Sequence, residues 1–178
     1  MIPVLTKLEL RDAEDADIPA IVALVQSTYR GESSRKGWTT EADLLDGQRI
    51  DADAVAAELA RSRSRIRLAF REGELVACAH VAEEDDAGHF GMFSVRADLQ
   101  GAGVGTLMLA DAERVVHEDW GLPMMRMSVI DVREELIAFY QRRGYRRTGI
   151  KLPFPYGDAR FGLPRRDDLR FEILEKSL

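Results

Sequence analysis

The sequence predicts an α/β fold in which a mixed sheet is flanked by helices, and three observations carry that expectation. Helix-like and strand-like hydrophobic periods alternate along the chain, two hairpin turns fall close together near its middle, and a glycine cluster joins a strand to a helix at residues 100–106.

Val4 to Arg11 reads as a first strand. Asp15 or Asp17 can cap a helix whose Ile18, Ile21, Val22, Val25 and Tyr29 recur near every 3.6 residues, stopping near Gly31. Residues 32–51 are polar, with Thr40 and Asp43 spaced as a capping box for a short helix over Glu41 to Leu45, and a further helix is expected over Asp53 to Arg63. Arg65 to Arg71 and Leu75 to Glu83 pair through Glu72-Gly73-Glu74, where glycine suits a tight turn. A second hairpin turns at Glu84-Asp85-Asp86-Ala87-Gly88 and returns over His89 to Arg96.

Beyond the glycine cluster, Val104, Met108, Ala112 and Val115 mark one helix face, which runs to the stop signal Gly121-Leu122-Pro123. Met124 to Ile130 is a short buried strand, and Glu134 to Arg142 a helix closed by Gly144. Tyr145 to Leu152 and Leu169 to Lys176 are the last strands, separated by the loop Pro153 to Asp168. No repeat or linker divides the 178 residues, so a single domain over 1–178 is expected.

Composition narrows the function classes. The net charge of -6 argues against non-specific nucleic-acid binding, which needs Lys and Arg to displace counterions from phosphate. Arg142-Arg143 with Arg146-Arg147, and Arg165-Arg166, read as solvated helix-end and loop charges. No stretch approaches the roughly 20 apolar residues of a membrane span, and no basic-then-apolar leader opens the chain, so a cytoplasmic protein without a membrane partner is expected. The single cysteine, Cys78, gives neither an internal disulfide nor a multi-cysteine metal pattern; it reads as a small buried hydrophobe, and no metal is expected.

The chemistry concentrates in Gln100-Gly101-Ala102-Gly103-Val104-Gly105-Thr106. A strand, a glycine loop and a helix start aim several unpaired backbone N–H groups at one point, and the helix dipole adds to the pull on an anion. Glycine lets a diphosphate approach the backbone closely. A nucleotide-triphosphatase loop would need Lys just before its Ser or Thr, but Gly105 precedes Thr106. A dinucleotide fingerprint would need glycine at 106 and an acidic residue ending the next strand, and Met124 to Ile130 lacks one.

Val95-Arg96-Ala97-Asp98-Leu99-Gln100-Gly101-Ala102-Gly103-Val104-Gly105 resembles the acetyl-CoA motif of the GNAT superfamily, Val-x-Pro-x-x-(Gln or Arg)-Gly-x-Gly-(Ile or Val)-Gly, with Ala97 in place of Pro. Downstream, Phe139-Tyr140-Gln141-Arg142-Arg143-Gly144-Tyr145 is similar to the second signature of that superfamily, Phe-Tyr-x-x-x-Gly-(Tyr or Phe). The resemblance implies a GNAT-type acyltransferase fold with a central, mostly antiparallel sheet, acetyl-CoA (coenzyme A) as cofactor, and an N-acetyltransferase activity. It also leaves room for a homodimer. Many relatives carry Asn seven residues before the tyrosine, to bind pantetheine; here that position is Arg133, which can meet a cofactor phosphate or be an exposed helix-start arginine.

The resemblance further implies that a distortion in a central strand, at Phe93, Ser94 and Val95, frees N–H groups to hold pantetheine and polarise the thioester carbonyl. Such a donor contributes roughly 3 to 4 kcal/mol. Tyr140 then meets the departing thiolate, and an amine attacks directly. A lysine-like amine of pKa about 10.4 lies about 3.4 units above pH 7, a deficit near 4.6 kcal/mol, so some group must take its proton. Glu83, Glu84 and His89 are the candidates.

In this fold the loops 32–51 and 153–168 line the acceptor side. Trp38, Asp43 and Asp46 in the first, and Phe154, Tyr156, Asp158 and Phe161 in the second, suit a cationic amine through carboxylates and aromatic faces. The expected acceptor is a small amine, polyamine-like or amino-acid-like. A protein N-terminus or lysine, and a non-catalytic acyl-CoA-binding module, are the alternatives.

Overall fold

The computed structural model describes residues 8–30, 40–47 and 49–178. Seven strands form one sheet in the order β1-β3-β4-β5-β6-β9-β7: β1 Leu8–Asp12, β3 Ser64–Arg71, β4 Glu74–Glu84, β5 Ala87–Val95, β6 Met124–Ile130, β7 Arg146–Pro153 and β9 Arg170–Ser177. All neighbours run antiparallel except β5 and β6. A separate two-strand ladder joins β2, Leu45–Asp46, to β8, Leu163–Pro164.

Helices cover both faces because alternate strand residues are apolar on both. On one side, α1 (Ile18–Tyr29) and α2 (Ala52–Ala60) bury Ile21, Val25 and Val55 against Ile66, Leu68, Cys78 and Met92. On the other, α3 (Val104–Arg114) and α4 (Glu134–Gln141) bury Met108, Ala112, Ile137 and Tyr140 against Ala77, Ala79, Phe90 and Met127. The predicted helix faces are the buried ones. Asp51 caps α2 by accepting from the Ala54 N–H at 2.8 Å. Among the described residues, no helix is long and apolar enough to cross a membrane.

Several boundaries differ from the sequence reading, each for a local reason. The expected helix over Glu41 to Leu45 is a turn followed by β2: the Thr40 hydroxyl accepts from the Ala42 N–H at 3.1 Å, and Leu45 is drawn into register with Pro164. The second helix ends at Ala60, because Arg61 is extended and Arg63 adopts a left-handed φ of 48° before β3. The helix after the glycine cluster widens into a π-turn over Val115–Asp119. Residues 4–7 of the expected first strand lie outside the described residues.

The second hairpin is tighter than expected. Asp85 and Asp86, with φ of 50° and 59°, form a two-residue loop whose mirror-image twist matches the flanking strands. Gly88 is not part of that turn. It lies in β5, where a Cβ would come within 2.4 Å of Val116 Cγ2 under the π-turn. Gly88→Ala is expected to cost about 1–3 kcal/mol through overpacking, read as a lower urea midpoint with an unchanged slope.

Glu172 in β9 fastens the edge strand β7. Its carboxylate is 2% exposed and accepts from Arg147 Nη2 at 2.7 Å, Arg147 Nε at 3.0 Å and Lys151 Nζ at 2.8 Å. The Arg147 hydrogen bonds, aided by Lys151 against the opposing effect of burial, pull its pKa down to about 2. A depressed carboxylate stabilises the fold above its unfolded pKa near 4.5, and that contribution is lost as pH falls toward 2. Urea unfolding of Glu172→Gln across this window is expected to show a flatter loss of stability than the parent.

Candidate functional site

The site begins where β5 leaves β6. Only Gly88 with Met125 and His89 with Arg126 are in register between these parallel strands, and beyond them the strands part. A bulge in β5 accompanies the parting: Cys78 opposes Ser94 but His80 opposes Gly91, so β5 carries one extra residue there. Met92 takes a left-handed φ of 55°, rare outside glycine. The carbonyls released at the bulge are claimed by side chains. Tyr29 donates its hydroxyl hydrogen to the Phe93 carbonyl, and Met92 O accepts from Cys78 Sγ at 3.5 Å and Ser94 Oγ at 3.3 Å.

Two clefts meet at this bulge, and the Phe93 ring belongs to both. The first, of about 550 Å³, lies along the glycine cluster. Phe93, Val95, Gln100, Gly101, Gly103, Gly105 and Thr106 line it on one side, and Glu135, Ala138, Phe139, Arg142 and Arg143 of α4 and its end on the other. Gly101 and Gly103 have φ of 84° and 88°, and a Cβ at Gly101 would meet nothing within 4 Å, so the loop faces open space. At Gly105 a Cβ would lie 3.0 Å from Phe93 Cζ. The N–H groups opening α3 have no partner within the helix. Ser94 and Val104 are predicted residues whose side chains turn into the core, and Ala102 is exposed, which leaves these three only their backbone to offer.

Arg142 is exposed, as the sequence suggested, but Arg143 is not a freely solvated charge. Arg143 lies 3.5 Å over the Phe139 ring and donates to Thr106 Oγ1 from Nε at 3.0 Å and Nη2 at 2.8 Å. These contacts stand one cation beside the helix start, and the exposed Arg142 lines the same cleft. Open glycines, unpaired N–H groups and paired arginines are a donor set that fits a diphosphate.

The second, inner cleft has a volume of about 290 Å³ and opens between β5 and β6 under the two loops that β2 and β8 tie together. His89 and Tyr140 both line it. Tyr140 is 4% exposed and packs edge-on against Phe139 and Phe90. Burial raises its pKa well above 10. His89 Nδ1 lies 3.6 Å from Glu84 Oε2. Glu83 is elsewhere, paired with Arg63 Nε at 3.1 Å and lining neither cleft. Cys78 is fully buried and burial pushes its thiol up to about 12, which leaves it no thiolate for attack.

The acceptor-side residues separate in the same way. Trp38 lies outside the described residues. Asp43 is exposed, and Tyr156, 45% exposed, spends its hydroxyl on the loop, donating to Arg166 O at 3.0 Å and accepting from the Leu169 N–H at 2.8 Å. Neither lines the inner cleft, whereas Phe154 and Phe161 do. Arg133 also lies here, away from the glycine cleft, and donates to Glu41 Oε1 at 3.1 Å. Tyr29, Arg30, Glu41 and Arg49 complete a wall that sequence reading missed. No spacing could flag it, because Glu41 meets partners 11 and 92 residues away.

The sequence model of the acetyltransferase (GNAT) family matches residues 20–145, most of the chain, including the whole glycine cleft and the inner cleft apart from Phe154, Phe161 and Phe171. The chain belongs to the GNAT acetyltransferase family. Members of that family use acetyl-CoA. No curated protein matches the chain in sequence. In structure it is similar to the ribosomal-protein-alanine N-acetyltransferase of Brucella melitensis, with a TM-score of 0.71 at 17% identity over 96% of this chain and 99% of that one. It is also similar to the Vibrio cholerae spermidine N-acetyltransferase SpeG, with a TM-score of 0.69 at 11% identity over 97% and 94% of the two chains. The PaiA N-acetyltransferase of Thermoplasma acidophilum, crystallised with coenzyme A, gives 0.69 at 15% identity over 96% and 99%. At these identities the likeness speaks for the fold, in which this GNAT chain presents its glycine cleft and its inner cleft on either side of the β5 bulge.

Proposed function

We propose that this GNAT protein transfers the acetyl group of acetyl-CoA to the primary amine of a small molecule by direct attack in a ternary complex. The observation that carries this reading is the meeting of the two clefts at Phe93, with Tyr140 and His89 both on the inner one. The glycine cluster and Arg143 hold the diphosphate, and the N–H groups of Phe93, Ser94 and Val95 hold pantetheine and polarise the thioester carbonyl. The acetyl thioester supplies the acyl group: a C–N bond forms as the C–S bond breaks, leaving the amine's proton and the thiolate's charge to be handled.

His89 takes the amine's proton, directly or through water, with the Glu84 carboxylate 3.6 Å away favouring the imidazolium that forms. Glu83 is set aside because Arg63 holds it off the cleft. Glu41 is a poor base: burial pushes its pKa up, yet Arg133, Arg49 and Arg30 together overcome that and hold it below the ordinary value. Tyr140 stays protonated and donates its hydroxyl hydrogen to the departing sulfur. Because the phenol is a weaker acid than a thiol of pKa about 8.5, full transfer accompanies C–S cleavage rather than preceding it.

The modest inner cleft supports a small acceptor over a protein tail, and two proton-handling side chains support turnover over a binding module. A panel of amines assayed by free-thiol release is expected to reveal amine-dependent activity. Tyr140→Phe should lower kcat about 10- to 100-fold with CoA affinity unchanged by calorimetry, and His89→Ala should lower it about 100-fold or more. CoA binding with no thiol released by any amine would leave only the binding module.

A further inference from the structure

The inner cleft carries the wrong charges for a polyamine. Among its described lining residues are three arginines, Arg30, Arg49 and Arg133, and one carboxylate, Glu41. Glu41 is consumed by two of them, accepting from Arg30 Nη1 on one oxygen and from Arg133 Nη1 on the other. The carboxylates expected to receive a cation are engaged or turned away. Asp46 pairs with Arg165 at 3.4 Å, Asp158 pairs with Arg160 at 2.6 Å, and Asp43 is exposed outside the cleft.

Arg49 is the cation left over. Its guanidinium stands 5.0 Å over the Tyr29 ring and forms no ion pair with any described residue. The backbone beneath it is fixed to α1, since Gln26 Oε1 accepts from the Arg49 N–H at 2.9 Å and Gln26 Nε2 donates to Gly47 O at 3.0 Å. A fixed arginine stacked on an aromatic face presents its fork in one orientation, the requirement for bidentate capture of an oxyanion. A second donor supports the same reading. Arg30, with a side chain 2% exposed, has its Nε buried and without a hydrogen-bond partner among the described residues. Asp51 and Asp53 border another cavity that Arg49 also lines, where Asp51 caps α2 and no ion pair joins either carboxylate to Arg49 among the described residues. The opposite wall of the inner cleft is apolar, with Leu45, Ile130, Phe154 and Phe171 packed together.

Resting on the transferase reading above, we infer that the acceptor is an amine that also carries a carboxylate or similar oxyanion on an apolar frame, as in an apolar amino acid, with the anion seated on Arg49. Of the two acceptors the sequence allows, the amino-acid-like one is selected and the polyamine-like one set aside. The amine then points toward His89 and the bulge while the apolar frame lies on Phe154 and Phe171.

The test uses the intact protein with saturating acetyl-CoA and measures initial thiol release with L-phenylalanine, L-leucine and L-methionine, each against its carboxamide, and with spermidine. At least one amino acid is expected to exceed its carboxamide by about 30-fold or more in kcat/KM, with spermidine slower than either. Arg49→Gln should shrink that ratio to within about threefold, chiefly through KM, and Arg49→Lys should restore part of it, with CoA affinity within about twofold of the parent by calorimetry. Carboxamides or spermidine serving as well as the acids, or an Arg49→Gln ratio equal to the parent's, overturns the inference. Where no amine turns over, the same acid and amide pairs are titrated calorimetrically into the CoA complex. Arg49-dependent binding of the acids then upholds the anion seat and refutes acetyl transfer, whereas equal binding of acid and amide refutes the seat.

Discussion

A single left-handed residue, Met92, divides the sheet into its two working halves. Up to His89 the strands β5 and β6 are hydrogen-bonding neighbours; past Met92 they are the walls of a gap. A non-glycine residue in this conformation costs on the order of 1 kcal/mol and persists only where its surroundings hold it. Here the surroundings are explicit, with Tyr29 reaching from the end of α1 to the Phe93 carbonyl, and Cys78 and Ser94 both satisfying the Met92 carbonyl. The buried cysteine thus has a structural use as a weak donor. Everything chemical is arranged around that gap, with backbone donors on the glycine side and charged side chains on the other.

The charged side is built at a cost. Placing Glu41 out of water beside Arg30, Arg133 and Arg49 desolvates several ions at once, and such groups are often no more stabilising than apolar residues of the same size. Burial also works against the Arg30 charge, lowering its pKa despite the Glu41 contact. A chain selected only for stability would fill this space with hydrophobes, as it does a few residues away at Leu45 and Leu169. Gly162 belongs to the same arrangement: with φ of 101°, it passes so close that a Cβ would lie 3.1 Å from Arg30 Nη2.

What the sequence disclosed and what it hid follow from how local each signal is. The glycine cluster that borders one cleft is a run of seven consecutive residues on a strand-to-helix junction, and Tyr140 lies within a seven-residue signature, so both could be located along the chain directly. The helices declared themselves because their buried faces repeat every 3.6 residues. The acceptor wall joins side chains from α1, two loops and the start of α4, and its logic is charge balance in three dimensions, which no linear spacing encodes. Asp43 and Tyr156 were plausible by loop membership alone, and one faces solvent while the other braces its own loop. Gly88 misled for the opposite reason: a glycine next to two aspartates resembles a turn, but its small size serves Val116 across the sheet.

The short ladder between β2 and β8 makes the two acceptor loops one mechanical piece. Leu45 and Asp46 are in register with Pro164 and Leu163, and Arg165 reinforces the join by donating from its backbone to Leu44 O at 2.8 Å and from its side chain to Ala42 O at 2.9 Å. Segments more than 100 residues apart in sequence are therefore tied together. Replacing one loop without the other would break the ladder before it reshaped the cleft that the pair covers.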